Sequence, residues 1–264
     1  RVAWALPVTP VARAVLAAHL STNAQNLVFV PNATHGVNIV ARSLQFHPGD
    51  EILTSNHEYG ACDYTWEFLC AQSGARILHQ PLPYPALSDA QMLEQFWKGV
   101  STRTRLIFLS HISSPTALRL PVEQICARAR KHGILTLIDG AHAPGQIPLD
   151  LSALSADFYT GNCHKWMLAA KSAAFLYAHP AVQHLVQPLI VSWGYHADAA
   201  TTSGSPFIDQ LTWTGTHDPA AYLSVPAAIQ FLSEHNWVQV QQRCHSLLSA
   251  WLPRFSALTG KALL

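Results

Sequence analysis

Lys165 lies near the end of the run Asp157-Phe158-Tyr159-Thr160-Gly161-Asn162-Cys163-His164-Lys165-Trp166, and one apolar strand earlier the chain reads Ile138-Asp139-Gly140-Ala141-His142. An acid at the end of one strand and a His-Lys pair at the end of the next suit a carbonyl cofactor with a pyridine ring. The lysine amine can hold the aldehyde as a Schiff base, and the carboxylate can keep the ring nitrogen protonated. The spacing therefore points to pyridoxal 5'-phosphate chemistry. Taken singly, each residue has a plainer reading. An Asp at a strand end is more often a turn or cap residue, a lone lysine is usually a solvated charge, and Asn32-Ala33-Thr34 before a helix is most often simple capping. The balance shifts because all three fall at predicted strand C-terminal ends, where open parallel sheets bind ligands.

The elements that must position these groups alternate between strand-like and helix-like stretches, which predicts an α/β domain with a largely parallel sheet. Strands are expected at Leu27–Val30, Glu51–Thr54, Arg76–Leu78, Arg105–Ser110, Ile134–Asp139, Asp157–Thr160 and Ala173–Ala178, the direction of the last left open. Helices are expected from Thr34 to Ala41, from Ala61 to Ser73, from Leu87 to Gly99 with Ser88 as cap, and from Val122 to His132 closed by Gly133. Ser192–Gln210 reads as a long polar loop. Ala220–His235 follows as a helix with Pro226 in its first turn, and Val238–Thr259 as another, broken near Pro253.

Composition narrows the function classes. At 264 residues and 49% hydrophobic, the chain can bury a real core, and only 12% of it is charged, with a net charge of +1. No basic run is interleaved with aromatics, so nucleic acid is not an expected partner. The fifteen histidines are scattered, with no HExxH or similar metal spacing, and no metal is expected. Five cysteines without a CxxC pair favour reduced thiols, no apolar run reaches the roughly 18–20 residues of a membrane span, and Arg1–Pro10 lacks a signal-peptide layout. A soluble, cytoplasmic protein is the expectation. The absent initiator Met and the stop just after the last long helix suggest a processed or incomplete chain: residues 1–235 would form a large cofactor-binding domain, and 236–264 a helix leading into a largely absent C-terminal domain.

Several stretches, in order across most of the chain, resemble the class V aminotransferase family, within fold type I of the pyridoxal phosphate enzymes, and most closely its isopenicillin N epimerase-like branch. They are Val30-Pro31-Asn32-Ala33-Thr34, His57-Glu58-Tyr59-Gly60-Ala61, Ser110-His111-Ile112-Ser113-Ser114-Pro115-Thr116, Ile138 to Gly145, Gly161 to Trp166, and Trp213-Thr214-Gly215-Thr216-His217-Asp218-Pro219. The resemblance implies a mostly parallel seven-stranded-type sheet flanked by helices. It implies that Lys165 forms the Schiff base and carries protons at the substrate α-carbon, that Asp139 pairs with the ring nitrogen, and that His142 hydrogen-bonds the ring's phenolic oxygen. Tyr59 would stack on the ring, while Ala33, Thr34, Asn162 and His164 would hold the phosphate. Ser114 and His111 would approach ring or substrate. Thr216 would reach the phosphate of a neighbouring subunit, making the active unit at least a homodimer. Cys163 is expected to be a buried small residue.

Two departures stand out. A Pro-Lys-Gly step common in relatives reads Ala170-Lys171-Ser172 here, and Ala117 replaces a usual Gly, so a turn close to the cofactor is expected to relax. The substrate-carboxylate arginine of relatives lies in the C-terminal domain, so none is assigned. The leading expectation is an enzyme acting at the α-carbon of an amino acid or peptide-like amino acid, by epimerisation or transamination. Carbon–sulfur lysis, a desulfurase-like activity, and a non-catalytic homologue that only binds cofactor are the alternatives. An NAD domain is disfavoured because no GxGxxG follows a first strand.

Overall fold

Seven short runs, each built on Val, Ile, Leu, Phe or Tyr, pair into a single sheet, and in most of them apolar residues stand side by side rather than only at alternate positions. A strand covered on both faces has that composition. The computed structural model describes residues 8–83, 88–196 and 203–261. The strands are β1 (Leu27–Val30), β2 (Glu51–Ser55), β3 (Arg76–Gln80), β4 (Thr104–Ser110), β5 (Leu135–Gly140), β6 (Phe158–Asn162) and β7 (Ala174–Ala178). Their spatial order is β1-β7-β6-β5-β4-β2-β3. All neighbours run parallel except β7, which is antiparallel to both β6 and β1. The chain thus forms the expected α/β architecture on a mostly parallel seven-stranded sheet, and the direction of β7 is fixed by a short return after β6 that leaves no room for a crossover helix.

Helices cover the two faces. On one lie α1 (Val8–His19), α4 (Asp89–Trp97), α5 (Val122–Lys131) and α8 (Val225–Glu234), which pack Leu16, Phe96, Ile125 and Leu232 with Leu53, Ile107, Ile138 and Tyr159 of the sheet. On the other lie α2 (Ala33–Ser43), α3 (Gly60–Ser73) and α6 (Pro206–Thr212), whose Val37, Trp66 and Phe207 belong to the cluster of Ile52, Phe108 and Phe158. The alternation of strand side chains separates the two sets. Gly36 lets α2 sit close on β6: a Cβ there would lie 2.3 Å from Thr160 Oγ1. This seat fixes where the amino end of α2 points.

Several expectations need correction. Helix α1 has no counterpart in the sequence reading. The Ser192–Gln210 loop contains a 3-10 turn (Trp193–His196) and the start of α6, capped by the Ser205 side chain, while residues 197–202 lie outside the described residues. The helix expected over Ala220–His235 is two, α7 (Ala220–Leu223) and α8, meeting at Ser224. The last helix, α9 (Trp237–Thr259), runs through Pro253 without the expected break. It buries none of its residues, so water can reach the carbonyl that proline leaves unpaired. Leu87, the expected start of α4, and residues 1–7 of the amino-terminal reading lie outside the described residues; Ser88 caps α4 with a full capping box. Among the described residues, no helix is long and apolar enough to cross a membrane.

Candidate active site

The carboxyl ends of β4, β5 and β6 and the amino end of α2 meet around a cavity of about 180 Å³. Strand register brings the three strand ends level, since Ser110 pairs with Asp139 and Asp139 with Thr160. Asn162, the last residue of β6, turns its side-chain oxygen to accept the Ala33 N–H at 2.9 Å. Asn32 caps α2 by accepting the His35 N–H at 2.8 Å. Ala33 and Thr34 therefore present a helix amino terminus, with its partial positive charge, to the cavity.

Asp139 is 3% exposed yet lies on the cavity wall. One carboxylate oxygen accepts the Ala141 N–H at 2.9 Å, and the other faces the Cys62 thiol at 3.6 Å. Burial pushes this carboxyl above its ordinary range, while the Ala141 N–H, the Cys62 thiol and the Lys165 charge pull it down. A thiol is a weak donor, so the second oxygen is under-satisfied. A cationic N–H in the cavity would meet that need.

Lys165 is half-buried, its Nζ 3.0 Å from His142 Nε2. Burial pushes its amine below the usual lysine range, against the pull of Asp139 and Cys62. Burial and the lysine charge also push His142 down. Trp166, the next residue, donates its indole N–H to His142 Nδ1 at 3.3 Å. His164 donates its Nδ1–H to the Ala173 carbonyl at 2.9 Å, and burial lowers its pKa as well.

Of the residues expected at the site, Ala33, Thr34, Tyr59, Ser114, Asp139, His142, Asn162, His164 and Lys165 all line this one cavity. Thr216 does not: it is exposed, in the segment between α6 and α7. His111, expected to approach ring or substrate, departs from expectation. It is wholly buried on the other side of β4, its ring 3.1 Å from the Tyr159 hydroxyl and 3.6 Å from Glu123, because strand alternation that turns Ser110 toward the cavity turns its neighbour away. Cys163 is fully buried, and burial pushes its thiol up.

Three neighbours were given no role from sequence. Glu58 is buried, accepting hydrogen bonds from the Ser55 hydroxyl and from the Ser110 N–H at 2.8 Å. Cys62 reaches Asp139 from the first turn of α3, and Trp166 reaches back to His142. An acid beside the expected ring residue Tyr59, and a Trp beside Lys165, were the available signals. Nothing in sequence spacing marked Cys62, which lies 77 positions from Asp139.

The expected relaxation of the turn after Lys165 is absent. Ala173 N–H bonds the Ala170 carbonyl at 3.2 Å, and Ser172 holds φ at 71°. Ala117, the other residue in place of a glycine, holds φ at 54°. Both side-chain-bearing residues occupy the left-handed region that glycine favours, so the turns keep their shape at a cost in strain.

An amine, a buried acid with an under-satisfied oxygen, and a helix amino terminus on one cavity fit the aldehyde, ring nitrogen and phosphate of pyridoxal phosphate. The known proteins agree. The model of the aminotransferase class-V family matches residues 8–263. The isopenicillin N epimerase of Amycolatopsis lactamdurans is 36% identical over 96% of this chain and 66% of its own length. A probable chloroplastic L-cysteine desulfhydrase of Arabidopsis thaliana is 28% identical over 77% of this chain and 45% of its own. This chain thus spans about two thirds of the first relative and under half of the second. A solved lysine-to-alanine variant of C-DES, with glycine covalently linked to its pyridoxal phosphate cofactor, superposes with a TM-score of 0.78 at 25% identity, covering 86% of this chain and 60% of that one. The chain belongs to the aminotransferase class-V family, whose cofactor is pyridoxal 5'-phosphate.

Proposed function

We propose that this chain forms the cofactor-binding domain of an enzyme acting at the α-carbon of an amino acid or peptide-like amino acid, with epimerisation as the leading reaction. The observation that carries the reading is the convergence of Lys165, Asp139 and the Ala33–Thr34 helix terminus on one cavity. The likeness to isopenicillin N epimerases over nearly the whole chain supports the choice of reaction. When bound, pyridoxal phosphate supplies an aldehyde for an amine and an electron sink for charge developing at the α-carbon. Lys165, with its amine biased toward the neutral form, is the attacking amine and the proton carrier. Asp139 would hold a proton on the ring nitrogen. Asn162, His164, Ala33 and Thr34 would bind the phosphate, His142 the phenolic oxygen, and Tyr59 and Ser114 would flank the ring.

Carbon–sulfur lysis is the second reading, supported by the likeness to a cysteine desulfhydrase and to the cystine C–S lyase C-DES. It uses the same cavity. A desulfurase relying on a thiol of this domain is less favoured: among the described residues none lining the cavity is cysteine, and Cys62, Cys126 and Cys163 are buried with thiols pushed up by burial. Thr216 stands exposed and off this cavity, as a residue serving a neighbouring subunit's phosphate must, which supports a homodimer with shared sites. Free cysteines fit a reducing, cytoplasmic setting. Residues 1–235 would be the large domain, with 236–264 leading toward a further one.

Adding pyridoxal phosphate, reducing with borohydride and mapping the labelled peptide tests the reading. The label is expected on Lys165 and is expected to vanish in Lys165→Ala. A labelled K165A protein, with the adduct still in this cavity, would overturn the assignment. Incubating the loaded protein with single-enantiomer amino acids then separates the reactions, since inversion without sulfide or keto acid marks an epimerase.

A further inference from the structure

Between Lys165 and Trp166, two consecutive residues reach the two ring nitrogens of His142. Lys165 Nζ lies 3.0 Å from Nε2, and the Trp166 indole N–H lies 3.3 Å from Nδ1. A neutral imidazole carries one N–H and one lone pair, and an indole nitrogen can only donate. The Trp166 contact therefore requires the lone pair to be on Nδ1, which puts the hydrogen on Nε2. An Nε2–H facing Lys165 needs an acceptor there. An ammonium has no lone pair to offer, so the arrangement accommodates Lys165 only as a neutral amine.

We propose that Trp166 is a positioning residue that fixes the Nε2–H tautomer of His142 and thereby holds the Lys165 amine in its uncharged form. The consequence for catalysis rests on the reading of Lys165 as the cofactor lysine; the tautomer itself does not.

The backbone holds the three side chains in register. Gly145, at φ 84°, lets the loop after β5 lie against Trp166: a Cβ there would stand 2.4 Å from the Trp166 carbonyl carbon and oxygen. The Gly145 carbonyl in turn accepts the Trp237 indole N–H at 2.8 Å and the Gln241 amide at 2.6 Å, so the first turns of α9 pin the loop that carries His142. The other titratable groups around Lys165 do not supply this bias. Asp139 favours the ammonium, the Cys62 thiol is kept protonated by burial, and His164 has its Nδ1–H engaged with the Ala173 carbonyl. The lowered pKa of both Lys165 and His142 agrees with a neutral pair.

The test is a long-range proton–nitrogen spectrum of protein labelled with 15N-histidine, in apo and loaded forms, with the His142 signals identified by their loss in His142→Gln. The wild type is expected to show protonated Nε2 and bare Nδ1. In Trp166→Phe, which keeps a ring and removes the donor, the Nδ1–H form should become populated. The pH midpoint for recombination of apoprotein with pyridoxal phosphate should move up by about one unit, a tenfold change in the neutral-amine fraction. An Nδ1–H tautomer in the wild type, or a W166F protein in which either readout stays put, overturns the proposal. Failure of the cofactor-lysine reading would show separately, as no trapped adduct on Lys165 in either protein, with the wild-type tautomer still deciding the role of Trp166.

Discussion

Glu58 offers a way to test the electrostatics of the site without touching a residue assigned to the cofactor. Its carboxyl is buried, and burial raises its pKa from the ordinary 4.5 to about 7; the hydrogen bonds from Ser110 and Ser55 oppose the rise, and the Asp139 charge adds to it. The folded chain therefore holds the protonated form more tightly than the unfolded chain does. Stability contributed by Glu58 is lost as pH climbs from 4.5 through 7, and the loss is complete above that window. At about 1.4 kcal/mol per pH unit, the ionised side chain makes the fold about 3 kcal/mol less stable at pH 8 and about 1 kcal/mol or less at pH 5. Glu58→Gln removes the charge and can keep both contacts, because its carbonyl can accept the Ser110 N–H while its amide donates to the Ser55 hydroxyl. Urea unfolding of the two apoproteins at both pH values reads the difference. E58Q is expected to be more stable than wild type by about 3 kcal/mol at pH 8, with the gap shrinking toward pH 5. An E58Q protein no more stable at pH 8, or a gap that does not change with pH, would refute the reasoning.

Two further outcomes follow from backbone geometry. Gly36→Ala drives a methyl group to within 2.3 Å of Thr160 Oγ1; it should cost about 1–3 kcal/mol in thermal unfolding and weaken pyridoxal phosphate binding, since α2 must lift from β6, and undiminished binding would show that this seat does not set the phosphate end. Ser172→Gly and Ala117→Gly should each stabilise the protein by about 0.5–1 kcal/mol, because both replace a side chain held at positive φ, and a loss of stability in either would show that its side chain makes a contact worth more than the strain.

Much of this site was legible because its parts are local in sequence. Asp139 with His142, and Asn162 with His164 and Lys165, each sit within a few residues at one strand end, so identifying the strand identified the location. The inner strands were readable because burial on both faces favours adjacent apolar residues, as in Leu106–Leu109 and Ala174–Ala178, whereas the edge strand β3 is only partly covered. The illegible parts depend on where elements cross. Helix α1 has no polar–apolar switch at its amino end to announce it, and α6 hides behind the Gly- and Ser-rich stretch before it. His111 was misplaced because a residue just past a clear strand is assigned a face only once register is known. Ser172 and Ala117 were expected to loosen their turns because sequence reveals what a residue prefers, whereas the surrounding hydrogen bonds decide what it adopts.

The charges of the site explain one another when taken together. Glu58 and Asp139 are two buried acids, each pushed toward its neutral form, and Lys165 is a half-buried base pushed the same way. A domain selected only for stability would replace such groups with apolar ones of similar size. Here the under-satisfied oxygen of Asp139 and the amine of Lys165, which burial pushes below the usual lysine range, face one cavity, and each lacks what a cationic ring nitrogen and an aldehyde would provide. The unfavourable electrostatics of the empty-handed residues are therefore the other side of their affinity: what destabilises the carboxyl without a partner is regained when one arrives. On that account Glu58 is the interesting case. It is buried behind the same wall and receives no such partner, so its cost persists, and its return is the fixed position of the Ser110 N–H at the edge of the cavity.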